Sequence, residues 1–450
     1  MSASTPSHPV TFPVLHPHAA GLDIGQAEIW ACVPTDQDGG LVQVFGTFTP
    51  DLHTLADWLE AQQVDTVAME STGVYWIPIY EILEARGLHP QVVNARHLKN
   101  VPGRKTDEKD CQWIQRLHTF GLLGASFRPD AELRALRTYL RHRATLIAHR
   151  AAHIEQMQKA LLQMNLQLMQ VLKDITGVTG MTILRAIVAG ERDPIQLAQA
   201  RDKRCQSTHD EIAKALTGNY QPEYLFELKQ ALALYDAYSE QLRECDAEVE
   251  RQFRAIKPVT DDDLPPSAQT DKKGSHSKNK PTYDARTLLF RITGVDLVAI
   301  SGLNESTVQT IISEIGTNLK AFATDKQFCS WLSLAPHHEI SGGRVLRNRT
   351  LKTGNRAGQA FRLAAQSVSR SPKSMFGAYY RRMKARLGPE KAIVATAHKI
   401  ARCFYHLLKE RTPYHDLGGE EYERRQKSRE LAALRKKAAR LGMELVELPA

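Results

Sequence analysis

The sequence predicts an α/β domain at the N-terminus, a middle of long helices and a mostly α-helical C-terminal domain. Three observations carry that prediction. Short β-type stretches alternate with amphipathic segments as far as about residue 128, apolar residues then recur every seven positions, and Lys and Arg gather among helix-period segments in the last third. The 450 residues are 42% apolar and 24% charged, the composition of folded domains, of which a chain this long holds two to four.

Residues 1–18, with His8, His16 and His18, read as a disordered Pro/His-rich arm. From Gly21 to about Thr49 come GLDIG, EIWACV and, after the turn Asp38-Gly39-Gly40, LVQVFGTFT: three consecutive strands with a tight hairpin. A helix (DLHTLADWLEAQ), a strand (DTVAME), a helix (VYWIPIYEILEARG), a strand (PQVVNA) and a helix near TDEKDCQWIQRLHTFGLL follow. The order β-β-β-α-β-α-β-α makes a mixed sheet with helices against it, assigned to residues 19–128.

In residues 129–256 the pattern changes. Leu133, Leu140, Ile147, Ile154, Leu161 and Leu168 recur every seven residues, as do Leu228, Tyr235, Leu242 and Val249. Such spacing predicts two long helices in a coiled coil, packed on each other or on another subunit, the second favoured by their length. Residues 257–285 are Pro-rich and almost free of large apolar side chains, which predicts a disordered linker. The domain at 286–414 opens with helices punctuated by Gly294 and Gly302, and residues 415–450 read as a charged helical tail. DITGV at 174–178 and RITGV at 291–295 echo each other but are too short to make a repeat.

Several function classes drop out. No run of eighteen apolar residues exists, so no membrane span is expected, and the first residues lack the basic and apolar regions of a secretory signal. Cys32, Cys111, Cys205, Cys245, Cys329 and Cys403 show no CxxC spacing, which argues against a disulfide framework or a thiolate zinc site and for a reducing cytosol. His149 and His153 stand one helical turn apart beside Arg143 and Arg150, a basic face with no third ligand in view.

Four acids stand where chemistry would want them. Asp23 lies inside an apolar strand, Glu70 ends the strand VAME, and Asp107 and Asp110 project from one face at the start of a helix. Gathered at one sheet edge they would repel unless divalent cations neutralised them, and hard oxygen ligands select Mg²⁺ or Mn²⁺. Two such ions can stabilise the attacking and leaving oxygens of a phosphodiester. Taken singly, Asp107 and Asp110 could equally cap a helix. Arg96, Lys99, Arg104 and Lys105 lead into Asp107, where a phosphate backbone would need cations.

The net charge of +9 conceals a sharper feature. Residues 341–410 hold sixteen Lys and Arg against two acids, a local +14, with Arg344, Arg347, Arg349, Lys352 and Arg356 close together. Nearly pure cationic charge argues for nucleic-acid backbone binding. Ser341 precedes Gly342-Gly343 and, from the residues alone, reads as a turn residue.

GLDIG, MESTGVYWIPIYEIL, VVNARHLKNVPGRKTDEKD and LAPHHEISGGRVLRNRTLKTGNRAGQAFRLAA, in this order, resemble the DEDD-type transposases of one bacterial insertion-sequence family, recombinases guided by a bridge RNA that the element encodes. The resemblance runs from about Gly21 to Tyr414. It implies a RuvC-like, RNase H-type first domain, a coiled-coil middle and a C-terminal transposase domain. It also implies that Asp23, Glu70, Asp107 and Asp110 hold Mg²⁺ and that Ser341 is a nucleophile forming a phosphoserine link to DNA. The implied partners are element and target DNA, the noncoding RNA, and further copies of the chain, as dimers joining into a tetramer, in the bacterial cytoplasm and on the nucleoid when acting. Three departures stand out: Cys111 follows Asp110 where a small Ala is expected, Thr293-Gly294-Val295 replaces the Pro-Gly-Ile-Gly form, and the 257–285 insert is long. The competing readings are a RuvC-like junction resolvase or nuclease using metal-activated water, and a non-catalytic nucleic-acid scaffold.

Overall fold

The structure, a computed structural model, describes residues 13–35, 39–70, 73–93, 106–265, 278–351 and 355–446. The chain divides into two compact units, Met1–Arg128 and Pro129–Ala450.

The first unit is the expected mixed sheet with helices against it. Strands β1 (Ala19–Ile24), β2 (Glu28–Val33) and β3 (Leu41–Gly46) are followed by α1 (Thr49–Ala61), β4 (Thr66–Glu70), α2 (Trp76–Ala85), β5 (His89–Val93) and α3 (Asp107–Thr119). The sheet order is β3-β2-β1-β4-β5; β2 runs antiparallel to both its neighbours, whereas β4 runs parallel to β1 and β5. This arrangement is consistent with an RNase H-like domain. Strand β1 is central and covered on both faces, which is why AAGLDI reads as a continuous apolar run broken by one acid. One face, with Ala20, Leu22, Ile24, Val67 and Met69, packs on Leu52, Leu55 and Leu59 of α1 and Ile79 and Leu83 of α2. The period of two sends Gly21 and Asp23 to the other face, beneath α3. There Ala68 and Val93 pack on Ile114 and Leu123.

The second unit is helical. Its elements are α4 (Ala131–Gln163), α5 (Leu168–Val171), α6 (Val178–Ala189), α7 (Pro194–Ala198), α8 (His209–Ala215), α9 (Pro222–Ala255), α10 (Ala285–Thr293), α11 (Glu305–Ile315) and α12 (Asp325–Trp331). The hairpin β6 (His337–Ser341) and β7 (Arg344–Arg349) precedes α13 (Arg356–Ser369), α14 (Met375–Leu387), α15 (Pro389–Glu410) and α16 (Gly419–Arg440).

The two heptad segments are long helices, α4 and α9, and they pack on each other within the chain. Their pairing is antiparallel: the Cys245 thiol meets the Tyr139 carbonyl, whereas Arg150 reaches back to Ser239. Leu161, Leu228 and Val249 are fully buried in this pair, and Tyr235 packs partly buried against the same core. The heptad overruns its helix. Asn165 takes a positive φ of 57° and ends α4, so Leu168 belongs to the short α5 instead. At mid-length Arg143 and Asp246 form a buried ion pair, and the Asp246 carboxylate also accepts from the Thr282 amide at 3.0 Å.

Residues 278–285, assigned from the sequence to a disordered linker, are seated on this helix pair. The Asn279 carbonyl accepts from Arg143 (3.1 Å), the Lys278 ammonium meets Asp174 (2.6 Å), and Tyr283 is buried against Gln309. Arg143 and Asp174, polar partners more than a hundred residues away, anchor the start of the segment and leave no apolar signal there, whereas Tyr283 is held by the nearer Gln309. The DITGV–RITGV echo has no structural counterpart: Gly294 ends α10 in the left-handed region (φ 71°), whereas Gly177 is an extended N-cap (φ −74°). Glu314 of α11, nearly buried, is gripped by Arg141 (2.8 Å) and Arg137 (3.2 Å) of α4. Among the described residues no helix is long and apolar enough to cross a membrane.

Candidate active site

Asp23, Asp107 and Asp110 come together in the first unit, with one carboxylate oxygen from each within 4.8 Å of the others. The local sequence explains why. Asp23 is the second-last residue of β1, and Thr106 caps α3 by accepting from the Lys109 amide, so Asp107, Glu108 and Asp110 fall in the first turn, where the helix dipole favours negative charge. Thr106, not Asp107 or Asp110, is the cap; the two aspartates favour the helix dipole, a role compatible with holding metal. Asp23 and Asp110 are half-buried and Asp107 is exposed, so hard oxygen donors face an opening. This donor set fits Mg²⁺ or Mn²⁺.

Glu70 stands apart from that trio. The parallel register pairs Leu22 with Met69, so its continuation puts Glu70 level with Asp23 on the neighbouring strand and on the face of α3. It is half-buried at the end of β4, and the group that meets within 4.8 Å does not include it.

A residue that sequence reasoning missed sets this geometry. A Cβ on Gly21 would lie 2.3 Å from the Gln115 amide nitrogen and 2.6 Å from the Cys111 carbonyl, so glycine lets α3 lie directly on β1. Cys111 is fully buried against Cys32, filling the space beneath the helix. Its hydrogen bond with Cys32, then burial and the Asp23 charge, push its pKa far above the ordinary thiol value. The GLDIG motif held the glycine signal, but only the helix above it gives the reason.

Ser341 is the last residue of β6 and is exposed, opposite Arg344. It stands beside the turn rather than in it. Gly342 (φ 56°) and Gly343 (φ 75°) supply the two positive φ values that a type I′ hairpin requires. Arg344, Arg347 and Arg349 line β7, all exposed, with Arg347 3.7 Å from Glu339. Arg356 opens α13. Arg96, Lys99, Arg104, Lys105 and Lys352 lie outside the described residues. His153 stacks on Tyr238 at 5.3 Å and His149 meets the same ring edge-on at 5.4 Å, a packing role on α4 and α9.

A DEDD transposase model of the IS110 type matches residues 20–166, the segment that holds the acidic trio. A second model, that of the transposase IS116/IS110/IS902 family, matches residues 296–381 and includes Ser341. The chain carries both transposase domains of the IS110 type. It is therefore a DNA-modifying enzyme of the transposase kind, and DEDD transposases use divalent metal. No curated protein matches the chain.

Proposed function

We propose that this IS110-type transposase excises and inserts its own element by serine attack on DNA, guided by an element-encoded bridge RNA. The observation that carries the reading is the meeting of Asp23, Asp107 and Asp110 in a domain that matches DEDD transposases. Asp23, Asp107 and Asp110, with Glu70 as the fourth acid, would hold the divalent metal, which would supply Lewis-acid polarisation of a phosphodiester. Ser341 supplies the nucleophile: a bond forms between its Oγ and the phosphorus, the bond from phosphorus to the leaving strand oxygen breaks, and the hydroxyl proton passes to that leaving oxygen through solvent. Arg344, Arg347 and Arg349, on the strand that adjoins Ser341, would meet the phosphates flanking the attacked bond. Guidance by RNA leaves the protein to read backbone and shape, in keeping with a +14 window and few acids around Ser341. Further copies of the chain, assembled as dimers and tetramers, would bring the serine of one subunit to the acids of another.

The test is a denaturing gel of protein incubated with Mg²⁺, element-end DNA and the flanking noncoding RNA. Wild-type protein should yield a covalent protein–DNA adduct that Ser341→Ala and Asp23→Ala both abolish, with strand exchange reduced at least about a thousandfold. Cleavage that persists in Ser341→Ala without any adduct would replace this reading with a nuclease that activates water. Cleavage retained by Asp23→Ala would remove the acidic trio from the chemistry.

A further inference from the structure

A cavity of about 320 Å³ opens in the second unit, lined by Phe376 and Tyr379 of α14 and by His398, Lys399, Arg402 and His406 of α15, with no residue of the hairpin in its walls. Its size is at the lower end of small-ligand pockets, room for one residue of a strand and too little for a duplex. The Lys399 ammonium sits 4.5 Å from the centre of the Tyr379 ring and 5.2 Å from that of Tyr422 on α16. Arg382 donates to the Tyr422 hydroxyl at 3.1 Å.

The charges around the cavity are unequally satisfied. Arg402 is paired with Asp325, and His406 lies 3.6 Å from Asp325 and 3.1 Å from Glu410. Lys399, half-buried, pairs with no carboxylate among the described residues. Burial, followed by the positive charges of Arg382, Arg429 and Arg402, holds its pKa below the ordinary lysine value. An ammonium kept among guanidinium groups without a counter-charge costs stability. That cost is offset when an anion arrives, and a ring face beside the cation suits a planar group.

We propose that this cavity takes one unpaired nucleotide of a bound nucleic-acid strand, its phosphate on Lys399 and its base against Tyr379. Aromatic faces beside a cationic groove are how proteins hold single strands with little regard to sequence. The proposal rests on the chain's being a nucleic-acid enzyme and names where an extruded or single-stranded residue is kept, independently of Ser341 and of metal.

The experiment uses the full chain and fluorescent twenty-nucleotide probes, oligo-dT and oligo-U, with anisotropy read over a range of salt in the absence of divalent metal. Lys399→Met should weaken binding about tenfold and reduce the slope of log affinity against log salt by about 0.7. Tyr379→Leu should cost roughly five- to a hundredfold, and Lys399→Arg should keep wild-type affinity. Equal losses on both probes assign the site to either kind of strand; a loss on one names the DNA or the RNA as its source. In the unbound protein Lys399→Met should not lower the melting temperature, because no partner of the charge is orphaned. If Lys399→Met fails to fold, photo-crosslinking of wild-type protein to a bromodeoxyuridine probe decides instead, with label expected on the Tyr379 peptide. Unchanged affinity and salt slope in both variants, or crosslinks only elsewhere, overturn the proposal. Binding is read without cleavage, so a missing serine adduct and an intact Lys399 effect would be told apart.

Discussion

Gly21 shows how much one missing side chain can decide. With a methyl group there, α3 must move off β1, carrying Asp107 and Asp110 away from Asp23. Gly21→Ala should therefore reduce metal-dependent strand cleavage at least about a hundredfold while the far-ultraviolet circular dichroism stays helical, since 1 Å of misplacement is already costly in catalysis. A second residue of α3, His118, is buried, lies 3.0 Å from the Thr66 hydroxyl and stacks on His16. Burial, with a smaller contribution from His16, lowers its pKa from 6.5 to about 4. The unfolded chain takes up a proton below about pH 6.5 that the folded chain refuses until about pH 4, so stability is present at neutral pH and falls across that window. Relative to His118→Gln, the wild type should lose up to about 3 kcal/mol between pH 7 and pH 4 in denaturant melts. Asp23 and Asp110 were legible because acids in apolar or helix-start positions stand out in a string of letters. Gly21 and His118 were not, because their meaning lies in what rests on them.

At the scale of elements, periodicity told most of the story. Alternation and turn residues located β1 to β5, and the seven-residue spacing located α4 and α9. The spacing could not say where α4 stops, since a left-handed Asn165 leaves the apolar pattern running on into α5. The length of the two helices also favoured a partner helix in another subunit, whereas α4 packs on α9 within the chain, which accounts for the apolar faces seen here. The cross-link at mid-length was invisible for a simpler reason, Arg143 and Asp246 being 103 residues apart. Asp246→Ala strands a buried guanidinium and the Thr282 amide, and should destabilise the second unit by about 3–5 kcal/mol in urea unfolding. Replacing both partners, as Arg143→Met with Asp246→Leu, should recover most of that loss.

Across the whole molecule, charge is sorted by task. The first unit collects carboxylates at the end of its sheet, and the second collects cations on a hairpin and around a cavity, so a net +9 says little about either. The local +14 was plain in the sequence; the division between Arg402, neutralised by Asp325, and Lys399, with no paired carboxylate among the described residues, was not. One feature of this arrangement bears on time rather than place. Asp23 belongs to a strand bonded on both sides, with Ala19, Ala20 and Leu22 fully buried around it, so its backbone opens only when the whole sheet does. Ser341 belongs to a sheet of two strands, among the exposed Ile340, Val345 and Leu346, and a lone ribbon of that kind is marginal in water. Backbone amides beside the two groups should thus exchange with solvent on very different clocks. On the proposed mechanism, a substrate that holds that ribbon shut would have a say in when the serine meets the acids, and so in when the reaction starts.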